Sequence, residues 1–177
     1  MADIATSTPV ALAELQAFLR LDPHGAEDAL LAGFIRTASE LCEAFIGERL
    51  IARDGTETLR GTGDWQRLSA RPVQSIIGAT GIDRNGVEQP LAGDAYLVDI
   101  DKDGIGWLRI MTGDSQRVRI SFNAGSAADW NGVPEPLRQG IIRLAAHLYS
   151  HRDSATDSGP PTAVAALWRP YRRMRLQ

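Results

Sequence analysis

The apolar residues of this chain change their spacing twice, and this feature constrains the fold more than any other. They recur every three to four positions up to about residue 46, alternate with polar residues between about 50 and 125, and return to the first spacing after residue 134. The first spacing is typical of amphipathic helices and the second of half-buried strands. We therefore predict an α+β fold, in which a helical core of two N-terminal and two C-terminal helices holds an inserted antiparallel β region.

Two helices are predicted before the β region. The first covers residues 8–21, with Thr8 as N-cap and Pro9 in the first turn, where its fixed φ is favourable. Its apolar stripe consists of Leu12, Leu15, Phe18 and Leu19. The second covers residues 27–46 and ends at Gly47, which can adopt the left-handed cap conformation. Two adjacent apolar columns predict a wide buried face on it. Their members are Leu30, Leu31, Phe34, Ile35, Ala38, Leu41, Cys42, Phe45 and Ile46.

Two further helices are predicted after the β region. The longer one covers residues 134–152 and contains Gly140, which costs about 1 kcal/mol relative to alanine, so we expect another backbone to approach it closely. Its apolar stripe consists of Leu137, Ile141, Leu144 and Leu148. The shorter helix covers residues 162–168 and is stopped by Pro170.

The β region between residues 50 and 125 is predicted to be an antiparallel meander with one face on the core. Its clearest strand is Arg117 to Asn123, in which apolar and charged or polar residues alternate. Four turn clusters separate the strands. They are Arg84-Asn85-Gly86, Ala92-Gly93-Asp94, Asp101-Lys102-Asp103-Gly104 and Thr112-Gly113-Asp114.

Composition limits the class of protein. A chain of 177 residues with 44% hydrophobic residues suffices for one globular body, and no apolar run reaches the 18 residues that a membrane span needs. Asp3 and the lack of a following apolar stretch argue against a secretory signal. The polar tract 154–161 divides the chain into a body, 1–153, and a C-terminal part, 154–177, with a linker, the short helix and a basic tail.

Three patterns could carry chemistry, and each has a structural explanation that we favour. His147 and His151 share one helix face, but the sequence suggests no third metal ligand. Asp99, Asp101, Asp103 and Gly104 match half of a calcium loop, although a tight hairpin turn explains them better. Cys42 lies on an apolar helix face, as a small buried hydrophobe would. We therefore predict no catalytic residues, no metal site and no cofactor.

The C-terminal tail is the strongest candidate for a binding site. Residues 160–177 contain four arginines and no acid, so their charge is +4. Because the net charge of the chain is −3, residues 1–159 carry −7. A frayed, solvated end is one explanation. We favour docking, because aromatic and arginine residues are enriched in interfaces and arginine pairs bidentately with carboxylates or phosphates. The candidate contact residues are Trp168, Arg169, Tyr171, Arg172, Arg173 and Arg175.

The order of several short segments resembles the head-to-tail connector (adaptor) proteins of long-tailed phages and phage-like gene transfer agents. The likeness runs from about Pro9 to Arg173 and includes 9–15, 18–21, 27–31, 43–47, 71–76, 85–87, 96–99, 133–139, 146–149 and 167–172. Ala11 departs from the family, because many members carry a capping threonine there. Capping then falls to Thr8 or Thr6.

The resemblance implies a structural protein and not an enzyme. Members of this family form a ring at the neck, between the portal protein and the tail, and we expect a dodecamer here. Stopper or tail terminator proteins bind on the tail side. The ring prolongs the channel through which double-stranded DNA passes without specific binding. The particle is expected to be a phage or a gene transfer agent, assembled in the host cytoplasm. Residues 168–175, in the C-terminal segment of this chain, are expected to bind the portal.

Two other classes of function remain open. A nucleic-acid-binding protein could use the same arginines on phosphate groups, although 22 acidic against 19 basic residues argue against a nucleic-acid-binding surface all around. A metal-dependent hydrolase would need His147 and His151 as ligands.

Overall fold

The computed structural model describes residues 10–22, 25–111, 116–152 and 160–173. It divides the chain into two compact units, a helical unit (1–51 and 127–177) and a β unit (52–126). The predicted α+β fold, with a β region inserted between two N-terminal and two C-terminal helices, is confirmed. Among the described helices, none has the length and apolar character that crossing a bilayer requires. The division at the tract 154–161 stays a prediction, since residues 153–159 lie outside the described ranges.

The helical unit contains α1 (Leu12–Leu19), α2 (Asp28–Ile46), α3 (Glu135–Ser150) and α4 (Thr162–Trp168). Helices α2, α3 and α4 agree with the predicted ranges to within two residues at each end. Helix α1 is shorter than the predicted 8–21, because its N-cap is Ala11 and Arg20 ends it in the left-handed conformation. The predicted start at Thr8 is therefore wrong. Thr6, Thr8 and Pro9 themselves lie outside the described residues.

Helix α2 packs chiefly against α3, and only one of its two apolar columns is fully buried. The buried column consists of Leu31, Ile35, Ala38, Cys42 and Ile46. In the other column Leu30 and Leu41 are exposed, as is Phe18 on α1. The predicted wide buried face is thus wrong at Leu30 and Leu41, whereas Phe34 and Phe45 of the same column are partly buried against the core. The end of the helix is as predicted, since Gly47 adopts a φ of 79°.

Among its described residues, the β unit contains seven strands in two antiparallel sheets. They are β1 (Arg53–Arg60), β2 (Gln66–Arg67), β3 (Val73–Ile82), β4 (Glu88–Pro90), β5 (Tyr96–Ile100), β6 (Gly106–Ile110) and β7 (Arg117–Ala124). One sheet has the order β1-β7-β3-β4 and the other β2-β6-β5. The antiparallel pairing is confirmed. The simple meander is wrong, because the last strand, β7, inserts between β1 and β3.

The alternation predicted for the last strand is confirmed, and it builds the core of the β unit. Val118, Ile120 and Phe122 of β7 are buried, whereas the residues between them are at least partly exposed. Residues of both sheets join this core. They include Leu68, Val73, Ala79, Leu108 and Ile110. A single apolar cluster therefore holds the two sheets of this unit together.

Candidate interaction surface at the C-terminus

The C-terminal segment folds as a short helix followed by a 3-10 turn. Helix α4 starts after Pro161, and Pro170 cannot continue it because proline lacks the backbone N–H. The chain instead makes a 3-10 turn over Arg169–Tyr171. Val164 and Trp168, four residues apart and therefore on one face, are both buried. This face attaches the segment to the rest of the helical unit.

Trp168 is the anchor of the segment, and its side chain is fully buried. Its indole Nε1 donates to the Leu137 carbonyl at 3.4 Å, and its ring centroid lies 5.7 Å from that of Phe45. A Cβ added to Gly140 would overlap with Nε1 of this indole ring. Gly140 thus makes room for an indole ring, and the expected close approach of a backbone is wrong.

The burial of Trp168 changes its place among the candidate contact residues. An aromatic side chain enriched at interfaces is equally suited to a core, where it contributes a large apolar surface. Here that surface is used inside the chain, between α2, α3 and α4. We therefore assign Trp168 to the positioning of the tail and remove it from the residues that could touch a partner.

The described arginines after Trp168 lie at the surface, and two of them, Arg172 and Arg173, contact the end of α2 or the residues just after it. Arg169, Arg172 and Arg173 are exposed, and Tyr171 is partly buried against the helical core. The Cζ atom of Arg172 lies 5.6 Å from the ring centroid of Phe45, within the range of a cation–π contact. Arg175 lies outside the described residues.

Arg173 holds the tail against the C-terminal end of α2. Its backbone N–H donates to the carbonyl of Ile46, the last residue of the helix, at an N···O distance of 3.2 Å. Its Nε lies 2.6 Å from Glu48 Oε1, in an ion pair whose arginine side chain is half exposed. A cation at this helix end is favourable because the macrodipole is negative there. The side chain of Arg173 therefore lies at the surface while it is held by the end of α2.

Phe45 and Glu48 were not predicted from the sequence as contacts of the C-terminal segment. One signal was available for Glu48. An acid just after the Gly47 cap lies at the negative end of a helix, where it is unfavourable unless a cation is near. Nothing in the sequence, however, indicated that this cation is Arg173, 125 positions later.

Two other patterns that could have carried chemistry lie on α2 and at the C-terminal end of α3. The rings of His147 and His151 stack at a centroid distance of 4.2 Å, and His151 Nδ1 lies 3.0 Å from the His147 carbonyl. Cys42 is buried, as predicted, and this burial raises the pKa of its thiol. Among the described residues, no three His, Cys, Asp or Glu side chains lie close enough to hold a metal ion.

The aspartate-rich segment forms the predicted tight turn, between β5 and β6. Asp101 Oδ1 accepts hydrogen bonds from the backbone N–H groups of Ile105 and Asp103, both at 2.9 Å. Its Oδ2 accepts from Trp107 Nε1 at 3.2 Å. These bonds, above all the one from Ile105, lower the pKa of Asp101, because they stabilise the charged form. The carboxylate is thus used to hold the turn.

Comparison with known proteins gives a result only at the level of solved structures. No family profile and no curated protein matches the chain. A chain in the neck of an empty gene transfer agent (GTA) particle, computed with C6 symmetry, is similar at 30% identity and a TM-score of 0.76. The alignment covers all of this chain and 95% of that one.

Chains in two further structures of gene transfer agent particles are also similar to this chain. A chain of the native GTA virion is similar at 30% identity, a TM-score of 0.73 and 95% coverage of its length. A chain in the neck of the native particle, computed with C12 symmetry, is similar at 28% identity, a TM-score of 0.73 and 94% coverage. Both alignments also cover the whole of this chain.

Proposed function

Since this chain belongs to the family of head–tail neck proteins of phages and gene transfer agents, we propose that it is the connector (adaptor) that forms a ring between portal and tail. The observation that carries the proposal is the full-length similarity to a chain of a particle neck, at 30% identity. The C6 and C12 symmetries of those necks support a closed ring of identical copies, and we propose twelve. In this function the protein is structural, with no catalytic residues and no cofactor.

The C-terminal tail is the portal-binding part of the proposed connector. Arg169, Arg172 and Arg173 are exposed, and Tyr171 is next to them, so one surface offers several cationic groups and an aromatic ring. Arginine binds carboxylates in a bidentate geometry. Trp168 fixes where this surface sits, because its buried ring holds the turn that carries the arginines. Arg175 belongs to the same proposed contact set.

The charge of the remaining chain is suited to a DNA channel. Residues 1–159 carry −7, and a ring repeats this charge in every copy. Each phosphate that a protein neutralises adds affinity through counterion release, so a passage for DNA must avoid such contacts. An acidic ring would let double-stranded DNA pass without specific binding. The β unit then faces neighbouring copies or the tail-side proteins, a stopper or tail terminator.

Charge reversal in the C-terminal segment of the protein tests the portal contact. Arg172→Glu with Arg173→Glu should lower the fraction of DNA-filled heads that carry tails by about tenfold or more, because the cationic surface becomes anionic. Electron micrographs of particles from producing cells give this fraction. Arg36→Glu with Arg143→Glu, which reverses two exposed arginines on α2 and α3, is the matched control and should leave tail attachment unchanged. Equal attachment in both double variants would overturn the portal contact.

A charge swap separates a contact with a partner from the contact inside the chain. Arg173→Glu with Glu48→Arg rebuilds the ion pair that is 2.6 Å long in the native chain. If Arg173 binds the portal, this swap should leave tail attachment as low as Arg173→Glu alone. Restored attachment of particle tails would mean that Arg173 acts only by holding the C-terminal segment of the protein against α2.

The competing function, binding of nucleic acid by the same arginines, makes a different prediction. The isolated protein would then bind duplex DNA, with an affinity that falls as salt rises and a slope that weakens when residues 160–177 are deleted. For the proposed connector we expect no binding of duplex DNA that depends on residues 160–177. Fluorescence anisotropy of a labelled duplex over a salt series measures it.

A further inference from the structure

Strand β5 is an open edge of the three-stranded sheet. The hydrogen bonds at its two ends, Met111 N–H to Ala95 O at 2.8 Å and Asp101 N–H to Ile105 O at 3.0 Å, establish its pairing with β6. Because bonded pairs alternate in an antiparallel ladder, the residues between them point their backbone groups outward. These residues are Tyr96, Val98 and Ile100. Their outward N–H and C=O groups have no backbone partner among the described residues.

Among the described strands, the three at the other edges of the two sheets carry features that protect an edge from pairing. Strand β2 has two residues, and β4 has three and ends in a proline. Strand β1 is long but strongly charged, with Arg53, Asp54, Glu57 and Arg60. Short length, proline and charge all discourage the addition of another strand. Strand β5 has five residues, no proline and a single charge, so it is the unprotected edge.

The side chains of β5 are also exposed and apolar. Leu97, Val98 and Ile100 are between 37% and 46% exposed, and they lie on both faces of the strand. Met111 pairs with Ala95 and therefore shares a face with Leu97; it is 48% exposed. An open edge with apolar side chains on either face is suited to strand addition, in which the backbone gives affinity and the side chains give specificity.

We propose that β5 is the docking edge for the neighbouring copy of this chain, which adds an extended segment to the sheet. The inference rests on the proposed ring assembly. A cyclic ring needs two different patches on every copy, one for each neighbour, and the similar chains come from necks with C6 and C12 symmetry. Two antiparallel β5 strands would form a closed two-fold dimer. In the ring β5 therefore meets a different segment of its neighbour.

Hydrogen exchange on the native protein tests the docking edge. The backbone amides of Tyr96, Val98 and Ile100 should exchange about tenfold or more slowly in isolated particles than in the free chain, because a partner strand covers them. Equal rates in particles and free chain would overturn the docking edge while leaving the proposed function intact. Absence of the chain from the particle neck would instead overturn the proposed function.

A matched pair of variants tests the same edge by assembly. Val98→Lys places a charge on the edge, and Val87→Lys places the same charge on an exposed valine of the loop before β4. Incorporation into particles, measured by quantitative mass spectrometry, should fall about tenfold or more for Val98→Lys and stay unchanged for Val87→Lys. Wild-type incorporation of a folded Val98→Lys chain would overturn the inference. If this variant fails to fold, the exchange and cross-linking experiments decide.

Cross-linking identifies what occupies the edge. A photoreactive p-benzoylphenylalanine in place of Val98 should give adducts in particles whose masses are multiples of the 19.2 kDa chain. The second attachment point should lie away from residues 96–100. Adducts with a portal or tail protein, or adducts that join two β5 strands, would overturn the proposed neighbour contact.

Discussion

The helical unit and the β unit differ in how they cover their apolar residues. Among the described residues, the helical unit leaves three large apolar side chains exposed: Phe18, Leu30 and Leu41. The β unit leaves seven: Trp65, Ile77, Val87, Leu97, Val98, Ile100 and Met111. The helical unit uses its own C-terminal segment, through Trp168, to close its core. The core of the helical unit is therefore closed from within the chain, whereas the β unit offers an apolar surface of the kind that a neighbouring molecule covers.

The largest effect should come from removing the closing side chain of the helical unit. Trp168→Ala should lower the free energy of unfolding by about 3–5 kcal/mol, because a fully buried tryptophan leaves a cavity. Trp65→Ala in the β unit is the control. Trp65 is 44% exposed, so the loss should stay below about 1 kcal/mol. Urea unfolding followed by circular dichroism measures both, and equal losses would contradict the comparison.

Two glycine substitutions should change the stability by smaller amounts and in opposite directions. They test whether the indole ring of Trp168 packs tightly against Gly140. Gly140→Ala should destabilise the chain, because its Cβ would meet the indole, and overpacking costs about 1–3 kcal/mol. Gly33→Ala on α2 should stabilise it by up to about 1 kcal/mol, since alanine favours helix and its Cβ would have only Arg36 at 3.8 Å.

Differential scanning calorimetry measures the shift of Tm for both glycine variants. Two shifts upward would mean that the indole moves aside at little cost, and that the C-terminal segment does not tightly close the helical core.

The smallest effect concerns acid stability of the β unit. The lowered pKa of Asp101 means that its contribution is fully present above the ordinary value of 3.8 and is lost as the pH falls through the lower folded-state value. Asp101→Asn removes this titration. The Tm of the native chain should therefore fall relative to that of Asp101→Asn when the pH drops below about 3.8.

A charge control is needed for the acid experiment. Asp94→Asn, at an exposed position before β5, changes the net charge by the same amount and should keep the acid dependence of the native chain. Identical curves for the native chain and Asp101→Asn would show that the turn does not depend on this carboxylate. The edge strand β5, which leads into the turn, would then be held by its pairing with β6 alone.

The elements of the fold were largely predictable, because their signals are local. The apolar spacing of α2, the Gly47 cap and the extent of α4 are properties of neighbouring residues, and the structure confirms them. The start of α1 was not predictable from Thr8 and Pro9, since a helix end with an uncapped Ala11 follows no local rule. Strand order was also out of reach, because β7 pairs with β1 across more than fifty residues.

The candidate site was predictable in composition and not in arrangement. The run of arginines after Trp168 marks a basic surface, and three of them are exposed. Their contacts with Phe45 and Glu48 were not predictable, because these residues lie at the end of α2 and just after it, far away along the chain. The open edge of β5 was missed as well. Its apolar residues indicate a strand, whereas the absence of a neighbour on one side is a property of the whole sheet.

The sequence by itself determined which segments are helices and strands, where most of them stop, and that the charge of the chain is divided between an acidic body and a basic end. Only the tertiary structure decided that Trp168 is core and not surface, that Leu30 and Leu41 remain exposed, and that β5 has an unpaired side. The physical reason is that local periodicity records which face of a segment is apolar, whereas the group that covers this face comes from residues far away along the chain.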